Sequence, residues 1–114
     1  MKSRQQGPMV TLVATEAITK NRFVDAAGAH TADKHAVGVA LFDTDSGDEI
    51  TVQAAGIATV VASGAITQGD HVKSDADGKA ATLAYSAAAD AAKACGVALD
   101  AATTDGDVIR VRLF

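Results

Sequence analysis

The chain lacks the residues on which disulfide frameworks, cysteine zinc sites and base-stacking surfaces depend. Its 114 residues include one cysteine, Cys95, one tyrosine and no tryptophan. A single cysteine excludes an internal disulfide and a zinc site built on cysteines. The small neighbours of Cys95, which are Ala94 and Gly96, favour a buried structural residue over a nucleophile.

Long apolar runs and basic clusters are also missing. No stretch of about 18 apolar residues occurs, and the first ten residues lack the apolar segment of a secretory signal, so we expect a soluble intracellular protein. The formal net charge is −4 and the pI is near 5.1. An acidic chain with few aromatic residues is atypical of nucleic-acid binding, so we expect no nucleic-acid partner and no membrane partner.

Large core residues are scarce as well. Leu, Ile, Val and Phe together account for 25 residues, whereas Ala alone accounts for 26. A chain of this length forms one domain, and a core rich in methyl groups gives it modest intrinsic stability. We therefore expect a single domain over residues 8–114 that gains stability by binding partners.

The chain repeats its own sequence in three places. The matching segments are 8–24 with 56–72 at an offset of 48, 36–41 with 94–99 at an offset of 58, and 47–53 with 106–112 at an offset of 59. These matches keep their order along the chain, and they predict a duplication, with unit one at residues 8–54 and unit two at residues 56–114. The rise in offset locates an insertion of about ten residues between Val72 and Ala94.

Side-chain alternation predicts a mainly β fold in both units. Ile50 and Val52 alternate with polar residues in unit one, and Ile109 and Val111 do so in unit two, which places all four on inward faces. Further strands are predicted at 10–14, 37–41, 58–62 and 97–99, with turn glycines at positions 28, 47, 78 and 106. This spacing predicts a small barrel- or sandwich-like domain, with one short inserted helix at about 86–94.

Candidate catalytic and ligand-binding motifs fail on their residue types. Gly64 and Gly69 have the spacing of a phosphate-binding loop, but Asp70 and His71 follow where lysine and serine or threonine are needed. The acidic stretch 43–49 has its glycine at the wrong position for a calcium loop. The three histidines, at positions 30, 35 and 71, do not have the spacing of a metal site. We expect no enzymatic activity, no catalytic residues, no cofactor and no metal.

Four segments of unit two carry a further signal, and they are 65–72 (AITQGDHV), 75–79 (DADGK), 96–99 (GVAL) and 106–113 (GDVIRVRL). Together with the chain length and the richness in alanine and glycine, they resemble the small capsid cement, or decoration, proteins of tailed bacteriophages. The resemblance implies a virion protein, made in the host cytoplasm, that binds the major capsid protein on the outer surface of the head and reinforces contacts between capsid subunits. A phage tail or baseplate component is the alternative.

The first seven residues lie outside the repeat and differ from it in composition. Lys2, Arg4, Gln5 and Gln6 are basic or polar, whereas the rest of the chain is acidic. Because Pro8 interrupts any continuous strand and apolar periodicity is absent, we expect residues 1–7 to form a flexible arm. We expect these four residues to contact the capsid or a neighbouring copy, the alternative being a frayed terminus without a role. Shell proteins occupy repeated sites, so we expect a homo-oligomer, with a trimer as its expected state.

Overall fold

A computed structural model describes residues 9–30, 36–83 and 93–113, and these ranges contain nine β-strands and no α-helix. The strands are β1 (Met9–Val13), β2 (Phe23–Val24), β3 (Gly38–Ala40), β4 (Glu49–Gln53), β5 (Ile57–Val61), β6 (His71–Ser74), β7 (Ala80–Thr82), β8 (Gly96–Ala98) and β9 (Val108–Leu113). The mainly β fold predicted from the alternation is confirmed. The short strands β2, β6 and β7 were not predicted.

Strands β1 to β4 form an antiparallel sheet, sheet one, in the order β1-β4-β3-β2. The longest pairing aligns all five residues of β1 with β4 and places Leu12 opposite Ile50. β1 is an edge strand, because it pairs with β4 alone among the described strands.

Strands β5 to β9 form a second antiparallel sheet, sheet two, in the order β5-β9-β8-β6-β7. Its first four places repeat the order of sheet one, with β5, β9, β8 and β6 in the places of β1, β4, β3 and β2. Both sheets are open and neither closes into a barrel within the described ranges, so the sandwich-like alternative is the one that fits.

The inward assignment of the two long strands is confirmed. Ile50 and Val52 in β4, like Ile109 and Val111 in β9, are at most 1% exposed. The residues between them are partly or fully exposed, as the period of two in a half-buried strand requires.

The buried apolar side chains form two clusters. The smaller one lies on sheet one and consists of Ala14, Ile18, Val24, Ala40, Ile50 and Val52, with Leu12 and Val37 partly buried against it. The larger one joins the inward residues of sheet two to Phe23, Ala36 and Val39 from the first half of the chain. Because neighbouring strand residues point to opposite faces, Phe23 and Val39 lie on the face of sheet one opposite its own cluster. Sheet one therefore packs this outer face against the inner face of sheet two.

Backbone hydrogen bonds reinforce this junction between the sheets. The Val61 amide donates to the Asn21 carbonyl oxygen at 2.8 Å, and the Phe23 amide donates to the Gly78 carbonyl oxygen at 2.7 Å. Cys95 is buried there, as predicted, and burial raises the pKa of its thiol. Hydrogen bonds with the backbone of Ala36 and of Ser74 partly offset that rise. Cys95 lies in the same buried cluster as Ala36, which belongs to the first half of the chain.

The predicted turn glycines are confirmed, since residues 28, 47, 78 and 106 all have positive φ angles. At Gly47 and Gly106, with φ angles of 92° and 98°, an added Cβ would meet no atom within 4 Å. The left-handed backbone, not crowding, therefore favours glycine at these two hairpin tips.

Two predicted features fall outside the described residues. The inserted helix is predicted at about 86–94, and residues 86–92 of it lie outside the described ranges. The predicted N-terminal arm at 1–7 precedes the first described residue. Both stay predictions.

Candidate functional site

The described part of the chain forms no pocket, and no three of its His, Cys, Asp and Glu residues lie close enough to hold a metal ion. The described ranges contain no helix that is long and apolar enough to cross a membrane. The predicted contact residues Lys2, Arg4, Gln5 and Gln6 lie outside the described ranges. The candidate binding surfaces are the outward faces of the two sheets.

The two described histidines have different surroundings. The Nδ1 atom of His30 lies 2.7 Å from the Phe23 carbonyl oxygen, and the Thr19 amide donates to its Nε2 atom at 3.3 Å. The ring of His30 therefore joins two backbone segments. His71 is exposed on β6, and His35 lies outside the described residues.

The acidic residues of the turns bind backbone amides. The Oδ1 atoms of Asp25 and Asp75 each accept hydrogen bonds from the amides two and four positions later. Asp107 accepts from the amides of Thr103 and Thr104 at 2.9 and 3.2 Å, and these bonds lower the pKa of its carboxyl group. These carboxylates stabilise turns, which accounts for part of the acidic composition.

The outer face of sheet two is basic and apolar. The strand register places Ile57, Arg112, Val97 and His71 in one row across four strands. The formally charged side chains on the strands of sheet two are all cations, namely Lys73, Arg110 and Arg112. We call this surface the basic face, and it consists of residues 57, 59, 71, 73, 97, 108, 110 and 112.

An ion pair orients one cation of the basic face. Arg110 Nε lies 2.9 Å from Asp100 Oδ2, and Arg110 Nη2 lies 2.8 Å from Asp100 Oδ1. The Arg110 amide also donates to Asp100 at 3.1 Å, and together these bonds lower the pKa of Asp100 to about 2. Because both side chains are exposed, the pair fixes the direction of the guanidinium more than it stabilises the fold.

The part of sheet one that sheet two leaves uncovered is apolar and acidic. Met9 and Val13 on β1 are more than half exposed, and Glu49 lies opposite Val13 on β4. Glu49 is the one formally charged side chain on the described strands of sheet one. Phe42, just after β3, is the most exposed large apolar residue described.

Reasoning from the sequence missed these surfaces. The signal was present in β9, where Val108 occupies a position that the alternation with Ile109 and Val111 assigns to the solvent side. Apolar residues on both faces of a strand indicate that both faces are covered, and a cluster of them on a surface marks an interaction site.

Comparisons with known proteins identify one family and one similar fold. The family model described as phage cement protein matches residues 4–113. A search of curated proteins gives no match. Among solved structures, the chain is similar to the head fiber gp8.5 N base of bacteriophage phi29, with 19% identity, a TM-score of 0.71, and coverage of 94% of this chain and 93% of that one. At this identity the likeness concerns the fold.

Proposed function

This chain belongs to the phage cement protein family and is thus a structural protein associated with the phage capsid, and we propose that it binds the outer surface of the assembled head and reinforces contacts between capsid subunits. The observation that carries the proposal is the family match over residues 4–113, nearly the whole chain. The proposal assigns the chain the major capsid protein as partner, synthesis in the host cytoplasm, and no enzymatic activity.

The exposed apolar side chains support a binding role. Among the described residues, five large apolar side chains are more than half exposed, and they are Met9, Val13, Phe42, Ile57 and Val108. Four of them lie on strands, on the outward faces of the two sheets, and exposed apolar side chains of this kind are typical of surfaces that bind other proteins.

We further infer that the fold is a tandem duplication of unit one and unit two. The strand order common to both sheets supports this inference, and so do the isolated bridges Ile18–Thr44 and Ile66–Ala102 at corresponding positions. Gly38 and Gly96 occupy equivalent positions as well. At each of them an added Cβ would overlap the carbonyl group of a residue on the neighbouring strand.

The cores support the same inference. Every residue of the smaller cluster has a counterpart in the larger one at the offsets found in the sequence. The pairs are Ala14 and Ala62, Ile18 and Ile66, Val24 and Val72, Ala40 and Ala98, Ile50 and Ile109, and Val52 and Val111. A chance resemblance between two unrelated halves would not preserve the core position by position.

Copies on the shell are proposed to form a homo-oligomer, with a trimer as the expected state. The open edge of β1 and the exposed Val13 on that strand support an additional contact there. An uncovered strand edge with apolar side chains readily pairs or packs with another chain.

Reconstitution on purified heads tests the proposed function. Heads and tails prepared from a phage lacking this protein are incubated with it and sedimented. We expect saturable binding to heads and a higher chaotrope concentration for their disruption. Binding to tails alone would instead support the tail alternative, and binding to neither would refute both.

The same assay tests the predicted arm. Deleting residues 1–7 is expected to weaken binding most at low salt, because screening reduces the contribution of Lys2 and Arg4 at high salt. Unchanged occupancy at every salt concentration would show that the arm has no contact role.

A further inference from the structure

The surface that unit one presents at the sheet junction has an open counterpart in unit two. Within the chain, Phe23 and Val39 are buried against sheet two. Their counterparts at offsets of 48 and 58 are His71 and Val97. His71 is exposed and Val97 is partly exposed, so no described part of the chain covers this side of unit two as fully.

The surface that receives unit one has an open counterpart as well. In unit two the receiving positions are fully buried, and they are Ala58, Val60 and Cys95, with exposed fractions of 3%, 0% and 4%. The corresponding positions of unit one are only half-buried, and they are Val10, Leu12 and Val37. The same positions are thus covered in one unit and accessible in the other.

The strand edges also differ in this way, since the edge is covered in unit two and accessible in unit one. The amide of Val61, on the edge strand β5, donates to Asn21, whereas the counterpart of Val61 is Val13 on the edge strand β1, 59% exposed. The counterpart of Asn21 is Gly69, and both have positive φ angles, 62° and 93°. Their amides also bond to equivalent carbonyl oxygens, so Gly69 presents its own carbonyl group much as Asn21 does.

We propose that in the assembled protein unit two of one copy packs against the β1 side of unit one of the next copy, repeating between chains the contact that joins the units within a chain. The occupant of the open β1 side is therefore a second copy, bound head to tail. The inference rests on the proposed homo-oligomer and specifies its interface. A head-to-tail contact forms a ring when it closes and a filament when it does not, and in a trimer six units would follow one another around the ring.

The difference between Phe23 and its counterpart His71 indicates how strong the contact between chains is. Phe23 is the largest fully buried side chain at the junction within the chain, and His71 takes its place on the presenting side of unit two. The contact between chains thus gains less from apolar burial than the contact within a chain. We expect it to be weak in dilute solution and to form where the shell holds copies close together.

Cross-linking tests the orientation, using two variants that each carry one added exposed cysteine, while the native Cys95 is buried. Val13→Cys places a thiol on the receiving edge, and Gln68→Cys places one beside Gly69 on the presenting side. A short bis-maleimide should couple a mixture of the two variants, and neither variant alone, both on decorated heads and in concentrated protein. Coupling of Val13→Cys to itself, or no coupling in the mixture, would refute the head-to-tail contact.

A matched pair of substitutions checks that the contact is specific. Val13 and Val108 are valines on strands with exposed fractions of 59% and 56%. Val13 lies on the proposed interface. Val108 shares the basic face with His71 and Val97, but it corresponds to Glu49, which sheet two leaves uncovered, and it therefore lies outside the proposed interface. Val13→Arg should lower the yield of cross-linking between Gln68→Cys and Thr11→Cys by about tenfold, because it places an unpaired charge at an apolar contact. Val108→Arg should leave it unchanged, and equal effects of the two would overturn the proposal.

The two assays also separate this inference from the proposed function. Binding to heads without the cross-link refutes the head-to-tail contact and leaves the proposed function intact. The cross-link without binding to heads refutes the proposed function alone.

Discussion

The two inward isoleucines of the long strands, Ile50 and Ile109, should differ in how much they stabilise the fold. Both are fully buried, at 0% and 1% exposure. Replacing isoleucine by alanine removes three carbon atoms, which costs about 2.4 kcal/mol at roughly 0.8 kcal/mol each. The cavity left behind raises the cost to as much as about 5 kcal/mol where the surroundings cannot collapse into it.

The surroundings of the two residues predict the order. Ile109 belongs to the cluster that both sheets enclose, so its cavity stays open. Ile50 belongs to the smaller cluster, where Leu12 and Val37 are partly exposed and free to adjust. We expect Ile109→Ala to lower the free energy of unfolding by about 4 kcal/mol and Ile50→Ala by about 2–3 kcal/mol.

Urea unfolding followed by circular dichroism measures both losses. The midpoint should move while the dependence on urea stays constant, because the surface exposed on unfolding barely changes. The matched controls are Thr51→Ala and Arg112→Ala, on the opposite faces of the same strands, which should stay within about 0.5 kcal/mol of the unmodified protein. A loss of less than about 1 kcal/mol from either isoleucine, or a larger loss from Ile50 than from Ile109, would refute the reasoning.

Two further predictions concern the glycines at which neighbouring strands approach closely, and the ion pair. Gly38→Ala and Gly96→Ala should each lower the free energy of unfolding by about 1–3 kcal/mol in the same urea assay, because the added Cβ overlaps a carbonyl group of the next strand; unchanged stability in either would contradict this. Asp100 has a pKa of about 2 in the folded protein, below the unfolded value of about 3.9, so its contribution to stability is full above pH 4 and is lost as the pH falls towards 2. Across that window the melting temperature should fall more for the unmodified protein than for Asp100→Asn, and parallel curves would show that the ion pair does not contribute.

Several features could be predicted from the sequence because their causes are local. The period of two in β4 and β9 follows from the geometry of an extended chain, which sends successive side chains to opposite faces. The glycines at the hairpin tips follow from the positive φ angles that such turns require. The family resemblance likewise depended on contiguous turn and strand segments, and the match over residues 4–113 confirms it.

The short strands could not be predicted in the same way. β2 has two residues and β7 has three, too few for any periodicity to show. Each forms because a neighbouring strand offers it hydrogen bonds, as β3 does for Phe23 and Val24. Their existence depends on residues distant in sequence, which a local pattern does not contain.

The sequence by itself determined which side chains share a face, and only the tertiary structure decided which faces are covered. Val13 and Val39 both occupy the outer face of sheet one, yet Val13 is mostly exposed and Val39 is buried beneath sheet two. Alternation reports the direction of a side chain relative to its strand, and burial depends on what packs against that face from elsewhere in the chain or from another chain. The candidate interfaces of this protein therefore became visible only once the two sheets were placed against each other.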